Sequence, residues 1–207
     1  ATAAMVGYTV RMVKSNSEGM VDLKELEKAL GDDVAGLMLT NPNTLGIYER
    51  NIEKITRMVH DAGGLCYYDG ANINAIFMHA RPGDMGFDCV HLNVHKSFST
   101  PHGGGGPGAG TDGCKAHLEP YLPRPVVRKD GKGYALDYDR PKSYGKIRSF
   151  TGSFGVLVKT YAYILRNGAE GLHQVAEGAV ANATYIRERL KLAYRIPYDT
   201  PTMHEFV

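Results

Sequence analysis

The chain has 207 residues, of which 43% are hydrophobic and 22% are charged, and its formal net charge is +2. This ordinary globular composition suits one large domain, or one domain with the start of a second, and the balanced charge gives no case for a nucleic-acid partner. No apolar run approaches the roughly 20 residues needed to span a bilayer, and three separated cysteines exclude a disulfide scaffold and a zinc knuckle.

The periodicity of the apolar residues predicts strands that alternate with helices along the chain. The predicted strands are residues 7–14, 34–39, 65–68 and 88–95, and the predicted helices are residues 21–30, 49–61 and 154–192. Because the middle strands are continuously apolar, this order predicts an α/β fold in which a mostly parallel sheet carries helices on both faces. Residues 1–153 are expected to form a large domain, and residues 154–207 a long helix and the start of a small domain.

Polar residues follow three of the predicted strands, at the point where each strand ends. Asn41, Asp69 and Lys96 hold these positions. Ligands of parallel sheets gather outside the carboxyl ends of the strands, so we expect these three side chains to face one site.

Lys96 and Asp69 together suggest an enzyme that uses pyridoxal 5'-phosphate (PLP). A neutral lysine amine can form an imine with an aldehyde, and a carboxylate beside a pyridine nitrogen favours the protonated, electron-accepting ring. Ala71 is small enough for a flat ring to lie against the backbone, and Asn41 can donate a hydrogen bond to the phenolic oxygen of the cofactor. Taken singly, these residues are equally compatible with a surface lysine, a turn carboxylate and a plain turn residue.

Two other ligand motifs are set aside. Residues 103–108 fit the dinucleotide pattern G-x-G-x-x-G, but they lead into a turn and not into the helix that this motif must open. His91 and His95 have the spacing of a helical zinc motif, but on a strand their rings would stand roughly 13 Å apart. The sequence therefore predicts no metal site.

Four motifs resemble those of the glycine decarboxylases, the P-proteins of the glycine cleavage system, in their C-terminal half or second subunit. The motifs are TNPNTLG at 40–46, YDGAN at 68–72, LNVHKSF at 92–98 and TPHGGGGPG at 100–108. The resemblance covers essentially the whole chain, and the last two motifs in succession are its most specific part. Against that family, the chain is expected to be truncated at both ends.

The resemblance implies the large domain of a fold-type-I PLP enzyme, with Lys96 as the Schiff-base lysine and Asp69 at the pyridine nitrogen. It implies decarboxylation of glycine and transfer of the aminomethyl group to the lipoyl arm of the H-protein. The remaining site residues that it implies are Ala71, Asn41, Thr44 and His95 toward the cofactor, with His95 also catalytic, and Asn72 and His102 toward the substrate.

The resemblance also implies partners and a location. Besides the H-protein, the N-terminal half of the P-protein or a subunit 1 is expected, in a dimer or heterotetramer, with no membrane. The compartment would be the cytoplasm in a bacterium and the mitochondrion in a eukaryote. Other PLP chemistry (an aminotransferase or an aldol-type transferase) and a truncated, non-catalytic subunit remain as alternatives, and the isolated chain is expected to be inactive.

Overall fold

The computed structural model describes residues 2–106, 108–146 and 148–207. Within these residues, five α-helices, six strands and two short 3-10 segments follow one another. The helices are α1 (Thr2–Met5), α2 (Leu23–Ala29), α3 (Ile52–Asp61), α4 (Val94–Ser97) and α5 (Phe154–Leu190). The strands are β1 (Gly36–Thr40), β2 (Leu65–Gly70), β3 (Cys89–Asn93), β4 (Gly110–Cys114), β5 (Val126–Asp130) and β6 (Gly133–Asp137).

Four of the strands form one sheet in the order β1-β2-β3-β4. Strands β1, β2 and β3 are parallel, and β4 runs antiparallel to β3. The register pairs Thr40 with Asp69 and Asp69 with His91. The predicted α/β fold with a mostly parallel sheet is therefore confirmed, and the strand ends that bear the predicted site residues lie side by side.

The core lies on one face of this sheet. Cys66 and Tyr68 of β2 are fully buried there against Ile52 and Val59 of α3. The opposite face carries Met38 and Leu65, which are 59% and 42% exposed. Within the described residues, the prediction of helices on both faces therefore holds for one face only. Side chains alternate between the two faces of a strand, so continuous apolar strands place large apolar groups on the open face as well.

The N-terminal strand prediction is wrong. Residues 7–14 belong to no sheet in the described structure, and their side chains are mostly exposed. The nearest pairing is an isolated antiparallel bridge between Ser15 and Val21. An alternating pattern identifies backbone that can extend, but a strand also requires a partner whose amides complete the ladder.

Asp88 joins three parts of the fold at the start of β3, opposite the carboxyl ends of the strands. One carboxylate oxygen accepts hydrogen bonds from Nε2 of His60 and from the backbone N–H of Cys66, each at 2.8 Å. The other lies 3.6 Å from Nζ of Lys115. Burial alone would raise the pKa of Asp88, but the two hydrogen bonds and the charges of His60 and Lys115 outweigh it and lower the pKa. The ionised form therefore holds α3, β2 and the segment after β4 together.

Helix α5 begins at Phe154, the residue at which the sequence predicts a helix. It bends at Gly168, whose φ of 60° is non-helical, and its second half packs on the 3-10 segment Ile73–Ala75 through Ala176 and Val180.

No helix of the described residues is long and apolar enough to cross a membrane. Between β4 and α5 lies the hairpin of β5 and β6, which the sequence did not predict. The division into domains at residue 153 stays a prediction.

Candidate active site

Lys96 lies in the last turn of α4, the short helix that begins directly after β3. Val94 and Phe98 on either side are 0% and 8% exposed, and they anchor the turn in a small apolar cluster with Val156 of α5. The lysine side chain itself is exposed. Buried neighbours thus fix the backbone of Lys96 while its amine stays accessible to a ligand.

Asp69 lies near the carboxyl end of the neighbouring strand. Its Oδ1 accepts a hydrogen bond of 3.1 Å from the backbone N–H of Ala71. This local turn orients the partly buried carboxylate and uses only one of its two oxygens. Asp69 and Lys96 therefore both project from the carboxyl end of the sheet, as the sequence predicts, and Ala71 follows at the same edge.

Asn41 does not fit the predicted role of a cofactor contact. The side chain is fully buried, its Oδ1 accepts from the backbone N–H of Glu49 at 2.9 Å, and its Nδ2 donates to the carbonyl of Glu49 at 3.4 Å. The hydroxyl of Tyr68 also donates to the backbone carbonyl of Asn41. The same Nδ2 also faces Sδ of Met85 at 3.8 Å. Because the amide oxygen and both N–H groups have partners inside the protein, Asn41 shapes the loop after β1 and has no free donor to offer a ligand.

Asn72 holds the same loop, in place of the predicted substrate contact. It is 5% exposed, and its Nδ2 donates to the carbonyl of Pro42 at 3.0 Å. The predicted contact Thr44 lies in the following turn, with an exposed side chain. That turn is shaped by Asn43, whose Oδ1 accepts from the N–H groups of Leu45 and Ile47.

His95 and His102 meet beside Lys96, as their predicted membership of one site requires. Their rings pack edge to face with centroids 4.6 Å apart. Burial lowers the pKa of His95, and the nearby charges of His102, Lys96 and His91 lower it further. The buried Nδ1 of His95 has no hydrogen-bond partner. A neutral imidazole with an unused nitrogen therefore lies next to the lysine.

His204 is a further candidate site residue, and the sequence did not predict it. The backbone N–H of Met203 donates to the carbonyl of Gly46 at 2.6 Å, which docks the C-terminal segment on the turn after β1. Burial lowers the pKa of His204; the charge of Glu205 opposes this, and the charge of Lys96 adds to it. The imidazole thus lies within electrostatic reach of Lys96. The one local sequence feature that could have indicated His204 is the polar pair His204-Glu205 among apolar neighbours. This feature does not show which strand end the histidine lies near.

Most of the unpartnered polar atoms belong to the segments that carry Lys96 and His204. Within the described residues, seven buried side-chain nitrogen or oxygen atoms have no hydrogen-bond partner. Those in segments 95–100 and 202–204 are His95 Nδ1, Ser97 Oγ, Thr100 Oγ1, Thr202 Oγ1 and His204 Nδ1. Buried hydroxyls and imidazoles are normally satisfied, so this grouping indicates a polar ligand such as a phosphorylated cofactor. The donor set beside a free amine and a carboxylate fits PLP.

Comparison with known proteins places the chain among related sequences. The family described as Aminotransferase class-V matches residues 1–105. The chain is 60% identical to the probable glycine dehydrogenase (decarboxylating) subunit 2 of Caldanaerobacter subterraneus subsp. tengcongensis, and also 60% identical to that of Thermus thermophilus. These matches cover 100% of this chain but only 43% and 44% of the relatives, so it spans less than half of their length.

Solved structures share the fold. The crystal structure of glycine decarboxylase (P-protein) of the glycine cleavage system, in inhibitor-bound form, has a TM-score of 0.79 at 22% identity. That match covers 97% of this chain and 47% of the other. A cysteine desulfurase from Thermococcus onnurineus has a TM-score of 0.64 at 18% identity, covering 92% of this chain and 46% of the other. The resemblance that the sequence motifs suggested is confirmed by the 60% identical relatives.

Proposed function

Because this chain belongs to the class-V aminotransferase family, we propose that it is part of a PLP-dependent glycine dehydrogenase (decarboxylating) of the subunit 2 type. The observation that carries the proposal is the placement of Asp69 and Lys96 at the carboxyl ends of two neighbouring parallel strands, with unpartnered buried polar atoms in the segment that carries Lys96. The identity of 60% to relatives of that name supports the choice of reaction.

Lys96 and Asp69 would hold the cofactor at its two ends. Lys96, whose amine is exposed, would hold the cofactor covalently through its aldehyde group. The carboxylate of Asp69, oriented by the N–H of Ala71, has a second oxygen that would hold the ring nitrogen. PLP, when bound, supplies an electron sink for the pair left on the glycine Cα as the carboxylate departs as CO2.

The histidines beside Lys96 would handle protons. Burial and the charge of Lys96 lower the pKa values of His95 and His204, which favours the neutral form of both rings. A neutral imidazole with an unpartnered nitrogen can accept a proton from the substrate amine and return it at Cα. His102, stacked edge to face on His95, limits the motion of that ring. Ser97, Thr100 and Thr202 would donate their unpartnered hydroxyls to the phosphate or the substrate carboxylate.

Partners and location follow from the same proposal. The relatives are named subunit 2, which implies a subunit 1, and we propose a dimer or heterotetramer completed by it. The H-protein is proposed as the acceptor, with the stretch 124–148, which has eight Lys or Arg against three Asp, as a surface for an acidic carrier. The compared relatives are bacterial, which supports the cytoplasm; a eukaryotic source would place the protein in the mitochondrion.

Reductive labelling tests the proposal. Incubation with PLP followed by borohydride should attach the cofactor to the peptide that contains Lys96, as identified by mass spectrometry, and Lys96→Ala should abolish that label. Lys54→Ala, at an exposed lysine of α3, is the matched control and should label like wild type. Equal labelling of all three chains would show that Lys96 is not the cofactor lysine.

Reaction class is tested on the longer protein, assembled with subunit 1. Exchange of labelled CO2 into glycine, stimulated by a lipoyl H-protein, is the expected activity. Transfer of the amino group to a 2-oxo acid without CO2 exchange would instead favour an aminotransferase, and neither activity in a PLP-labelled protein would indicate a non-catalytic subunit.

A further inference from the structure

Helix α5 and the loop after the 3-10 segment bring two histidines and a glutamate together. His173 and Glu177 lie on α5, and His79 lies on the loop. The imidazole nitrogens and the carboxylate oxygen that these residues offer all lie within 4.8 Å of one another. No residue of this cluster takes part in the proposed chemistry at Lys96.

The spacing of His173 and Glu177 in the sequence places them one helical turn apart. His173 and Glu177 are four residues apart, so they share a face of α5, and Nε2 of His173 lies 3.3 Å from Oε1 of Glu177. His79 completes the cluster from the opposite side, its ring packing edge to face on that of His173 with centroids 4.5 Å apart.

Packing holds the two sides of the cluster at a fixed separation. Ala176 of α5 and Ile76 of the loop are 0% and 3% exposed, and both line the cleft that His79 and Glu177 border. The backbone N–H of His79 donates to the carbonyl of Ile76 at 3.0 Å. Each ligand residue is therefore attached to backbone that the core fixes, while the side chains stay accessible to solvent.

We propose that His79, His173 and Glu177 bind one divalent transition-metal ion, with Zn²⁺ as the best fit. Two imidazoles and one carboxylate are a common ligand set for zinc, which takes three protein ligands where a fourth position stays open. His79 and Glu177 line a cleft of about 540 Å³ whose other lining residues are mostly apolar, so the fourth position would open on that cleft.

A second cluster of metal-ligating types, His60, Cys66 and Asp88, is a weaker candidate. Asp88 already accepts two hydrogen bonds there, and the ammonium of Lys115 lies 3.6 Å from its other oxygen. The ammonium of Lys115 repels a metal ion, and the hydrogen bonds already occupy lone pairs of the Asp88 carboxylate that a metal would need. The cluster on α5 has no such competitor among the ion pairs of the described residues.

Zinc titration of the full chain, stripped of metal with a chelator, tests the site by calorimetry. Wild type should bind one ion per chain, and His79→Ala, His173→Ala and Glu177→Gln should each weaken the affinity at least about tenfold, because loss even of an outer-shell partner has that effect. His60→Ala is the matched control and should bind like wild type. Circular dichroism of the metal-free variants checks that the fold is kept.

Cobalt substitution gives a second readout that needs no variant. A site of two imidazoles and a carboxylate gives visible d–d bands without the near-ultraviolet sulfur-to-cobalt charge transfer of a thiolate ligand. Absence of saturable zinc binding, loss of binding in His60→Ala, or a thiolate charge-transfer band would each overturn the proposal. None of these readouts depends on PLP, so its failure is separable from failure of the proposed function.

Discussion

The backbone N–H of Met203 lies 2.6 Å from the carbonyl oxygen of Gly46, although more than 150 residues of chain separate them. Through this hydrogen bond the C-terminal segment docks on the turn after β1 and carries His204 into the neighbourhood of Lys96. The contact requires glycine, because a Cβ at position 46 would overlap the carbonyl oxygen of Glu205.

Gly46→Ala should therefore displace the C-terminal segment. The φ of +77° at this position costs a residue with a Cβ about 1 kcal/mol or more, and the overlap with Glu205 adds to that cost. We expect the free energy of unfolding to fall by about 2–4 kcal/mol in urea titrations. The pKa of His204, followed by NMR, should rise toward its ordinary value as the ring leaves its buried position beside Lys96.

Gly63→Ala provides the matched control for backbone strain. Its φ is +83°, but a Cβ there would meet nothing within 4 Å. In this variant the free energy of unfolding should fall only by the cost of the backbone strain, and the pKa of His204 should stay as in wild type. Equal losses in the two variants would show that the contact with the C-terminal segment contributes little.

Asp69→Asn should weaken PLP binding while leaving the fold intact. The amide oxygen can still accept the N–H of Ala71, so the turn after β2 persists, but the negative charge opposite the ring nitrogen is lost. We expect at least a tenfold loss of PLP affinity, about 1.4 kcal/mol, in spectroscopic titrations. Asp112→Asn, at a 72% exposed side chain on the same sheet face, should bind PLP like wild type.

Asp88 should make the stability of the chain depend on pH at the acid end. Its pKa is lowered in the folded state, so its contribution is fully present above the unfolded pKa near 3.9 and is lost as the pH falls through the lower folded value. Asp88→Asn should lower the free energy of unfolding by about 1.5–3 kcal/mol at pH 7, because the hydrogen bonds to a charged carboxylate are lost.

The difference between wild type and Asp88→Asn should shrink as unfolding is measured at successively lower pH below 4. Asp84→Asn, which breaks an exposed ion pair with Arg81, should change stability by less than about 1 kcal/mol at any pH. A constant gap between wild type and Asp88→Asn down to pH 2 would contradict the assignment.

Cys66 should resist thiol reagents until the chain unfolds. It is fully buried, and burial with the charge of Asp88 raises its pKa to about 12, so very little reactive thiolate forms at pH 8. Cys114 is only partly buried on the open face of the sheet. In a thiol titration with an aromatic disulfide reagent, one cysteine should react slowly, at the rate of unfolding. Cys66→Ser should remove this slow phase of the reaction, and Cys114→Ser should not.

Local sequence predicted the parts of the site that follow strands. The apolar runs before Asp69 and Lys96 identify β2 and β3, and the rule that ligands meet the carboxyl ends of parallel strands brings the two residues together. These placements could be predicted because the position of a strand and the residue type at its end depend on short stretches of sequence. The family motifs, which the 60% identical relatives confirm, are equally local.

Tertiary structure decided where polar side chains point and which distant segments meet. Asn41 and Asn72 stand at the predicted strand ends, yet their amides turn inward because buried backbone groups of Glu49 and Pro42 require partners. His204 comes within electrostatic reach of Lys96, and His79 packs on His173 of α5, only through contacts between segments far apart in the chain. The sequence by itself determined β1 to β3, helices α2, α3 and α5, and the residue types at the strand ends, but not β4 or the hairpin of β5 and β6. Hydrogen-bond satisfaction and long-range packing, which no local pattern encodes, decided the rest.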